Sequence, residues 1–324
     1  MLLKTQMGFL ILDLLYQPYK LYLMEFTSVS MERFLTGTRL QKTQKRDTLK
    51  TLFKLLLLFT TTLFALENNA YVGGVAVVEI GYFDQKPKVF FQAKRVKVIQ
   101  EDGSYFAVIG LGLSEKVGKK HIVAVDDNKK LDFYFQVKSK KYKKSFIKLK
   151  TNKKVTLSKI DLSRHYREKK IVKKLKGSFN QSFETDFDFM APLTGRISSE
   201  FGKRRYYNNI PKAPHSGIDI AAKRGTPIVA TQSGEVAISD DLFFTGNTIY
   251  LDHGEGVISV YCHMSKVAVN VGDFVNKGDI IGYVGTTGRS TGPHLHFGVM
   301  LNGATINPAV FVKRYESKKK LKKR

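Results

Sequence analysis

Three short segments in the C-terminal part of the chain, His215-Ser-Gly-Ile-Asp219, Tyr261-Cys-His263 and Pro293-His294-Leu-His296, hold four of its seven histidines and one aspartate. Their spacing can close around a single metal ion, and a fold that does this has to bring residues from distant points of the sequence to one place. Zinc sites that do chemistry take three protein ligands from His, Asp, Glu and Cys and leave the fourth position to water. The three segments supply enough candidates, with two histidines to spare.

In an extended strand alternate residues share a face, so His294 and His296 point one way while Leu295 and Phe297 face a core. Gly217 allows a turn or a sharp bend between His215 and Asp219, so a carboxylate and an imidazole converge from one local segment. The chain contains no His-Glu-x-x-His, which excludes the helical zinc-protease arrangement with its glutamate base. A base here has to be another group, and histidine is the candidate. Cys262 is the chain's one cysteine; beside His263 in a strand it faces the opposite side, into the core, and is a poor ligand or nucleophile. His253, in Asp252-His-Gly254, reads as part of a turn. His121 and His165 stand alone in lysine-rich sequence and read as exposed, and Arg204 or Arg205 is a candidate for the cleft wall.

The rest of the chain reads as mainly β. Residues 66–160 form a small β-domain with strands in Val75–Ile80, Val89–Ala93, Val96–Ile99, Tyr105–Gly110 and Leu131–Val137, separated by Gly, Asp-Gly or Asp-Asn turns. Gly110-Leu-Gly112 lacks a third glycine in register and a following helix, so it is no dinucleotide loop. Lys138 to Lys154 reads as a solvated hairpin whose lysines protect strand edges. Residues 161–188 are a helix, with Leu162, Tyr166, Ile171 and Leu175 at helical spacing, and a linker. Residues 189–313 return to short strands: Ile228–Ala230, Gly234–Ile238, Asn247–Leu251, Val257–Tyr261, Ile280–Val284 and Leu295–Leu301. The glycine-rich run Gly285–Gly292 lacks the Gly-Lys-Ser/Thr of a phosphate loop and reads as a wall of the cleft ahead of His294. Residues 314–324 are a basic tail.

Near the N-terminus, residues 45–65 read as an export signal, with Lys45, Arg46, Lys50 and Lys54 before the apolar run Leu55–Ala65. Residues 1–44 are an extension before it, consistent with translation starting later, at Met31; an uncleaved N-terminal membrane anchor is the alternative. The net charge is +26. Residues 189–313 hold 11 Lys or Arg against 9 Asp or Glu, so the surplus lies in the flanks. Basic flanks concentrate a protein near polyanions, and for an exported protein the anionic cell envelope comes first. The charge distribution argues against specific nucleic-acid binding.

The run Ala191–Val312 resembles the catalytic domain of the lysostaphin/LytM family of zinc endopeptidases, which cut peptide bonds in bacterial peptidoglycan. The matching segments, in order, are Pro192-Leu-Thr-Gly-Arg-Ile-Ser-Ser-Glu-Phe-Gly202, His215-x-x-x-Asp219, Gly225-Thr-Pro227, Tyr261-Cys-His263-Met-Ser265, Val271-Gly-Asp-x-Val275 and Gly285-Thr-Thr-Gly-Arg-Ser-Thr-Gly-Pro-His-Leu-His-Phe297. The resemblance implies an antiparallel β-sheet catalytic domain of LytM type, preceded by the small β-domain and helical linker. It implies that His215, Asp219 and His296 are ligands of Zn2+, and that His263 and His294 flank the attacking water and the scissile carbonyl. It also implies peptidoglycan as partner and an exported location in the periplasm or cell envelope. The rival reading is a non-catalytic LytM-like module that binds cell wall or activates an amidase; modules of that sort lack some ligands, and none is missing here. The preceding β-domain would then either cover the groove until displaced or hold the enzyme on its substrate.

Overall fold

A computed structural model describes residues 68–127, 129–147, 159–207 and 210–312. The N-terminal extension, the export signal and the basic tail expected from the sequence lie outside the described residues.

Six strands, β1 (Val75–Gly81), β2 (Lys88–Phe91), β3 (Lys94–Glu101), β4 (Ser104–Gly110), β5 (Gly118–Asp126) and β6 (Lys129–Val137), form an antiparallel sheet in the order β1-β4-β3-β2-β5-β6. Its own core gathers Val89, Val98, Ala107, Ile109 and Ile122. Strand β5 is absent from the sequence reading because Lys119, Lys120 and His121 fill its first half and the inward pair Ile122 and Ala124 comes late. In the described part of the lysine-rich stretch that follows, up to Ile147, no hairpin partner pairs with it. Its strand β7 (Lys144–Ile147) runs parallel to β9 (Arg204–Tyr207), far along the chain, with Phe146 stacked on Tyr206. Helix α1 (Lys159–Lys176) opens with Asp161 and closes on Lys173, Lys174 and Lys176, charges that suit the two ends of a helix dipole.

The C-terminal part adds β8 (Arg196–Ser199), β9, β10 (Ile210–Pro211), β11 (Ile218–Ala221), β12 (Pro227–Val229), β13 (Gly234–Leu242), β14 (Gly246–Asp252), β15 (Val257–Val267), β16 (Phe274–Val275), β17 (Ile280–Val284), β18 (His294–Leu301) and β19 (Ala304–Ile306). Its main sheet has the order β16-β13-β14-β15-β18-β11-β8, and every pairing in it is antiparallel. Alternation gives this sheet two different faces. Ile220, Tyr261, Leu295 and Phe297 fill the larger core on one face. Ile258, Val260, Cys262 and Met300 lie on the other, where Val172 and Leu175 of α1 cover them. Tyr166 and Ile171, two of the four apolar residues at helical spacing, are more than half exposed. The docked stripe is displaced around the helix because Glu168 and Arg164 also bind the sheet edge.

The two sheets are joined at the Leu301 end of β18, the end away from His294. Asn302 exchanges two hydrogen bonds with Gly110, its Oδ1 accepting from the Gly110 N–H at 2.6 Å and its Nδ2 donating to the Gly110 carbonyl at 3.2 Å. Val75 and Val108 of the first sheet enter the core of the second. Beside them the buried Lys97 ammonium pairs with the buried Glu255 carboxylate, which also accepts from Lys86 at 2.7 Å. Removing one partner of a buried pair leaves the other charge uncompensated. Glu255→Ala is therefore expected to lower unfolding stability by roughly 3–5 kcal/mol, read as a shifted urea midpoint.

His253 sits in its expected turn but is fully buried, with Nδ1–H donating to the Ser233 carbonyl at 2.7 Å and Nε2 2.7 Å from Ser259 Oγ. Burial pushes its pKa down to about 4. In the unfolded chain the ring titrates near ~6.5, so the unfolded state binds the proton first and folding stability falls as pH drops from ~6.5 toward 4. The shift corresponds to about 3 kcal/mol. In urea titrations across that window, His253→Gln should flatten the acid decline by about that amount.

Candidate metal centre

Strands β11, β18 and β15 lie side by side, with Asp219 opposite His296 and Cys262 opposite the same histidine. Because Ile218, Ile220, Leu295 and Phe297 face the larger core, Asp219, His294 and His296 emerge on the face that also carries α1. His215 approaches from the loop before β11. The turn at Phe201-Gly202 clamps it: its backbone N–H donates to the Lys203 carbonyl at 3.0 Å, and its carbonyl accepts from Gly202 N–H at 2.8 Å. Gly217 is required where it stands. A Cβ there would meet the Phe297 carbonyl at 2.3 Å and His296 Nε2 at 2.8 Å, so only a glycine lets the His296 ring lie against β11.

Three donor atoms close into a triangle. His215 Nε2 is 2.9 Å from Asp219 Oδ1, His296 Nδ1 is 2.9 Å from the same oxygen, and the two nitrogens are 3.0 Å apart. The His215 Nδ1–H donates to the Glu200 carbonyl at 2.9 Å. A neutral His215 therefore turns a lone pair toward a carboxylate oxygen at hydrogen-bond distance, acceptor against acceptor. A cation among the three atoms relieves that repulsion, and two imidazoles with one carboxylate are the donor set of a catalytic zinc site. The residues present fit the ion. Burial disfavours the charged form of Asp219, but the adjoining His215 and His296 rings outweigh it and hold the carboxyl well below the usual carboxylate range. Burial lowers the pKa of His296 as well, which keeps a neutral nitrogen available. The other carboxylate oxygen, Asp219 Oδ2, is 3.4 Å from Arg205 Nη2, which also reaches Ser199 Oγ at 3.3 Å. Of the two arginines considered for the cleft, Arg205 is the one that touches the centre.

His263 and His294 stand beside the triangle with ring centroids 4.9 Å apart. Both are oriented by backbone carbonyls: Nδ1–H of His263 donates to Thr287 at 2.9 Å, and Nδ1–H of His294 donates to Gly292 at 2.8 Å. Each ring is thus held in the tautomer that leaves Nε2 unprotonated. Burial, above all, pushes the His263 pKa down to about 4. His263 also has a left-handed backbone, φ 66°, at a register shift between β14 and β15. Bulges of this kind re-aim one side chain out of strict alternation. Its N–H donates to Thr245 at 2.8 Å in the β13–β14 turn. The Gly285–Gly292 run packs on that turn, with Arg289 4.3 Å above the Phe244 ring.

All five residues singled out in the sequence come together. His121 is exposed as expected, whereas His165 is half-buried against Phe244, with ring centroids 4.8 Å apart. Cys262 is buried, its thiol pushed up to about 12 by burial, which removes it as a nucleophile. The carbonyls of Glu200, Thr287 and Gly292 escaped the sequence reading, since a backbone acceptor leaves no mark in residue type.

The fold and the site define a candidate metal centre of two histidines and one aspartate built on an antiparallel sheet. Residues 213–308 match the family model "Peptidase family M23" and residues 68–140 match "Peptidase family M23 N-terminal domain". A crystal structure described as a peptidase M23 from Pseudomonas aeruginosa is 36% identical, with a TM-score of 0.66, and the alignment covers 76% of this chain and 96% of that one. The chain belongs to peptidase family M23. Over 113 residues it is 42% identical to the DD-carboxypeptidase/endopeptidase Mpg of Neisseria meningitidis and 39% identical to the peptidoglycan DD-endopeptidase ShyA of Vibrio cholerae. Each match covers 35% of this chain and 26% of the relative, so the chain spans about a quarter of the length of these relatives. If Gly217 is what seats the His296 ring, Gly217→Ala should weaken zinc binding at least about tenfold, as loss of supporting contacts around metal ligands does. Competition against a chelating dye measures this directly.

Proposed function

We propose that this protein is an exported, zinc-dependent endopeptidase that hydrolyses amide bonds in the peptide stems or cross-links of peptidoglycan. The observation that carries the reading is the contact of His215 Nε2 with Asp219 Oδ1 at 2.9 Å, next to two further histidines that both present Nε2. His215, Asp219 and His296 would hold the ion. Zinc, when bound, supplies a Lewis acid for the scissile carbonyl and makes water more acidic. Nε2 of His263 or of His294 accepts a proton from the attacking water as its oxygen bonds to the carbonyl carbon. The resulting imidazolium returns that proton to the amine nitrogen as the C–N bond breaks. Export rests on the apolar run Leu55–Ala65 with its preceding lysines, and the basic flanks would hold the protein near the anionic envelope. A non-catalytic wall-binding module gains no support from the site, since each of the five positions is filled.

Purified peptidoglycan should yield new amine ends on incubation with the protein, yield none with a chelator present, and yield them again once zinc is restored. His263→Ala and His294→Ala should each cut the rate about 10²–10⁴-fold while zinc still binds. His215→Ala and Asp219→Ala should lose the zinc itself. Absence of new amine ends with zinc restored would favour the wall-binding module.

A further inference from the structure

Two of the three donors sit in strands whose register fixes them, Asp219 in β11 and His296 in β18, but His215 comes from the loop before β11. Its seat is the segment 200–203: the Gly202 N–H donates to its carbonyl, its own N–H donates to the Lys203 carbonyl, and its Nδ1–H donates to the Glu200 carbonyl. What steadies that segment comes from the N-terminal part of the chain. Tyr142, between β6 and β7, meets the buried Phe201 ring edge-on, with centroids 6.0 Å apart and planes at 74°. Gly202 has φ 75°, and a Cβ on it would overlap the Tyr142 ring, so the ring lies directly against its backbone. The Tyr142 hydroxyl donates to the Val72 carbonyl at 2.6 Å, which ties the ring to the chain just before β1. Burial pushes its pKa up, so the hydroxyl stays protonated and keeps that bond. The next residue adds two contacts: the Lys143 carbonyl accepts from Arg204 N–H at 2.9 Å, and the Lys143 ammonium pairs with the Glu200 carboxylate at 2.7 Å.

We infer that Tyr142 is a positioning residue of the metal centre, which holds His215 within reach of Asp219 and His296 by fixing the Phe201-Gly202 turn. The inference rests on the zinc reading of the three donors and gives the N-terminal part of the chain a share in building the site. His215 Nε2 lies 2.9 and 3.0 Å from the other two donor atoms. Such a constellation works only if its members are held to within about 0.5 Å. A loop lacks that precision by itself, because backbone outside paired strands opens at low cost. Gly202 brings no side chain of its own to pack the turn, so the Tyr142 ring supplies the cover, while Phe201 ties the same turn to the larger core. Tyr142 thus acts through the turn on His215 and not on substrate. The other fastening between the two sheets, through Asn302 and Gly110, lies at the Leu301 end of β18 and serves as the comparison.

The test uses the full chain stripped of metal, with zinc affinity read by competition against a chelating dye and folding read by the urea midpoint. Tyr142→Ala should weaken zinc binding at least about tenfold, the effect that supporting contacts around metal ligands have. Tyr142→Leu keeps apolar bulk beside Phe201 but no ring over Gly202, and should weaken it at least about threefold. Tyr142→Phe keeps the ring and should stay within about twofold of the wild type. Asn302→Ala loosens the distant fastening; it should lower the urea midpoint and leave zinc affinity within about twofold. A folded Tyr142→Ala or Tyr142→Leu protein with wild-type zinc affinity would overturn the inference, as would an equal loss of zinc affinity in Asn302→Ala. Wild-type protein that binds zinc and yields no new amine ends from peptidoglycan defeats the peptidase reading and leaves the positioning role standing. Wild-type protein that binds no zinc overturns both.

Discussion

The register of β11, β18 and β15 is the constraint on which the rest of the molecule depends. A slip by one residue would turn every side chain of β18 to the other face. His294 and His296 would enter the larger core, and Leu295 and Phe297 would face the groove. What prevents the slip is the burial of Ile218, Ile220, Tyr261, Leu295 and Phe297, all at most a few per cent exposed. At about 25 cal/mol per Å² of apolar surface, misplacing that set would cost several kcal/mol. Hydrophobic packing on one face thereby fixes the geometry of polar chemistry on the other.

Strict alternation cannot supply the whole centre, because His263 follows Cys262 directly and Cys262 has to stay buried. The left-handed backbone at His263 resolves the conflict by inserting a bulge. Such a conformation costs on the order of 1 kcal/mol or more in a non-glycine residue, and the Thr245 carbonyl offsets it by accepting from the His263 N–H. Three of the four clustered histidines then use Nδ1 to bind a backbone carbonyl, at Glu200, Thr287 and Gly292. The turns carrying those carbonyls therefore set the tautomers, and the glycine-rich loop acts through its backbone rather than its side chains.

Much of this was legible in the sequence because the relevant signals are local. The alternation His294-Leu-His-Phe297 announced a strand with one catalytic and one packed face, and the glycine at 217 announced a bend that lets His215 and Asp219 converge. Strand β7 was not legible, since its partner β9 lies far downstream and Lys144–Ile147 gives no hint of a parallel pairing. The docked face of α1 was not legible for a related reason. Leu162, Tyr166, Ile171 and Leu175 have helical spacing, but the docking that decides the face is polar: Glu168 binds a turn N–H and Arg164 binds Asp241. Periodicity of apolar residues cannot anticipate a helix oriented by its charges.

That orientation also links the two halves of the chain. The first sheet is fastened at the Leu301 end of β18, through Asn302 and the Lys97–Glu255 pair, whereas the metal centre lies at the His294 end. Helix α1 spans the distance between them on the same face, from Phe244 beside the glycine-rich loop to Gly303 beside Lys94. Strand β7, which leads out of the first sheet, pairs with β9, and β9 carries Arg205 to Asp219. Both connections from the N-terminal sheet therefore end beside the metal centre, α1 on Phe244, next to the Thr245 carbonyl that holds His263, and β7 on the strand whose Arg205 reaches Asp219.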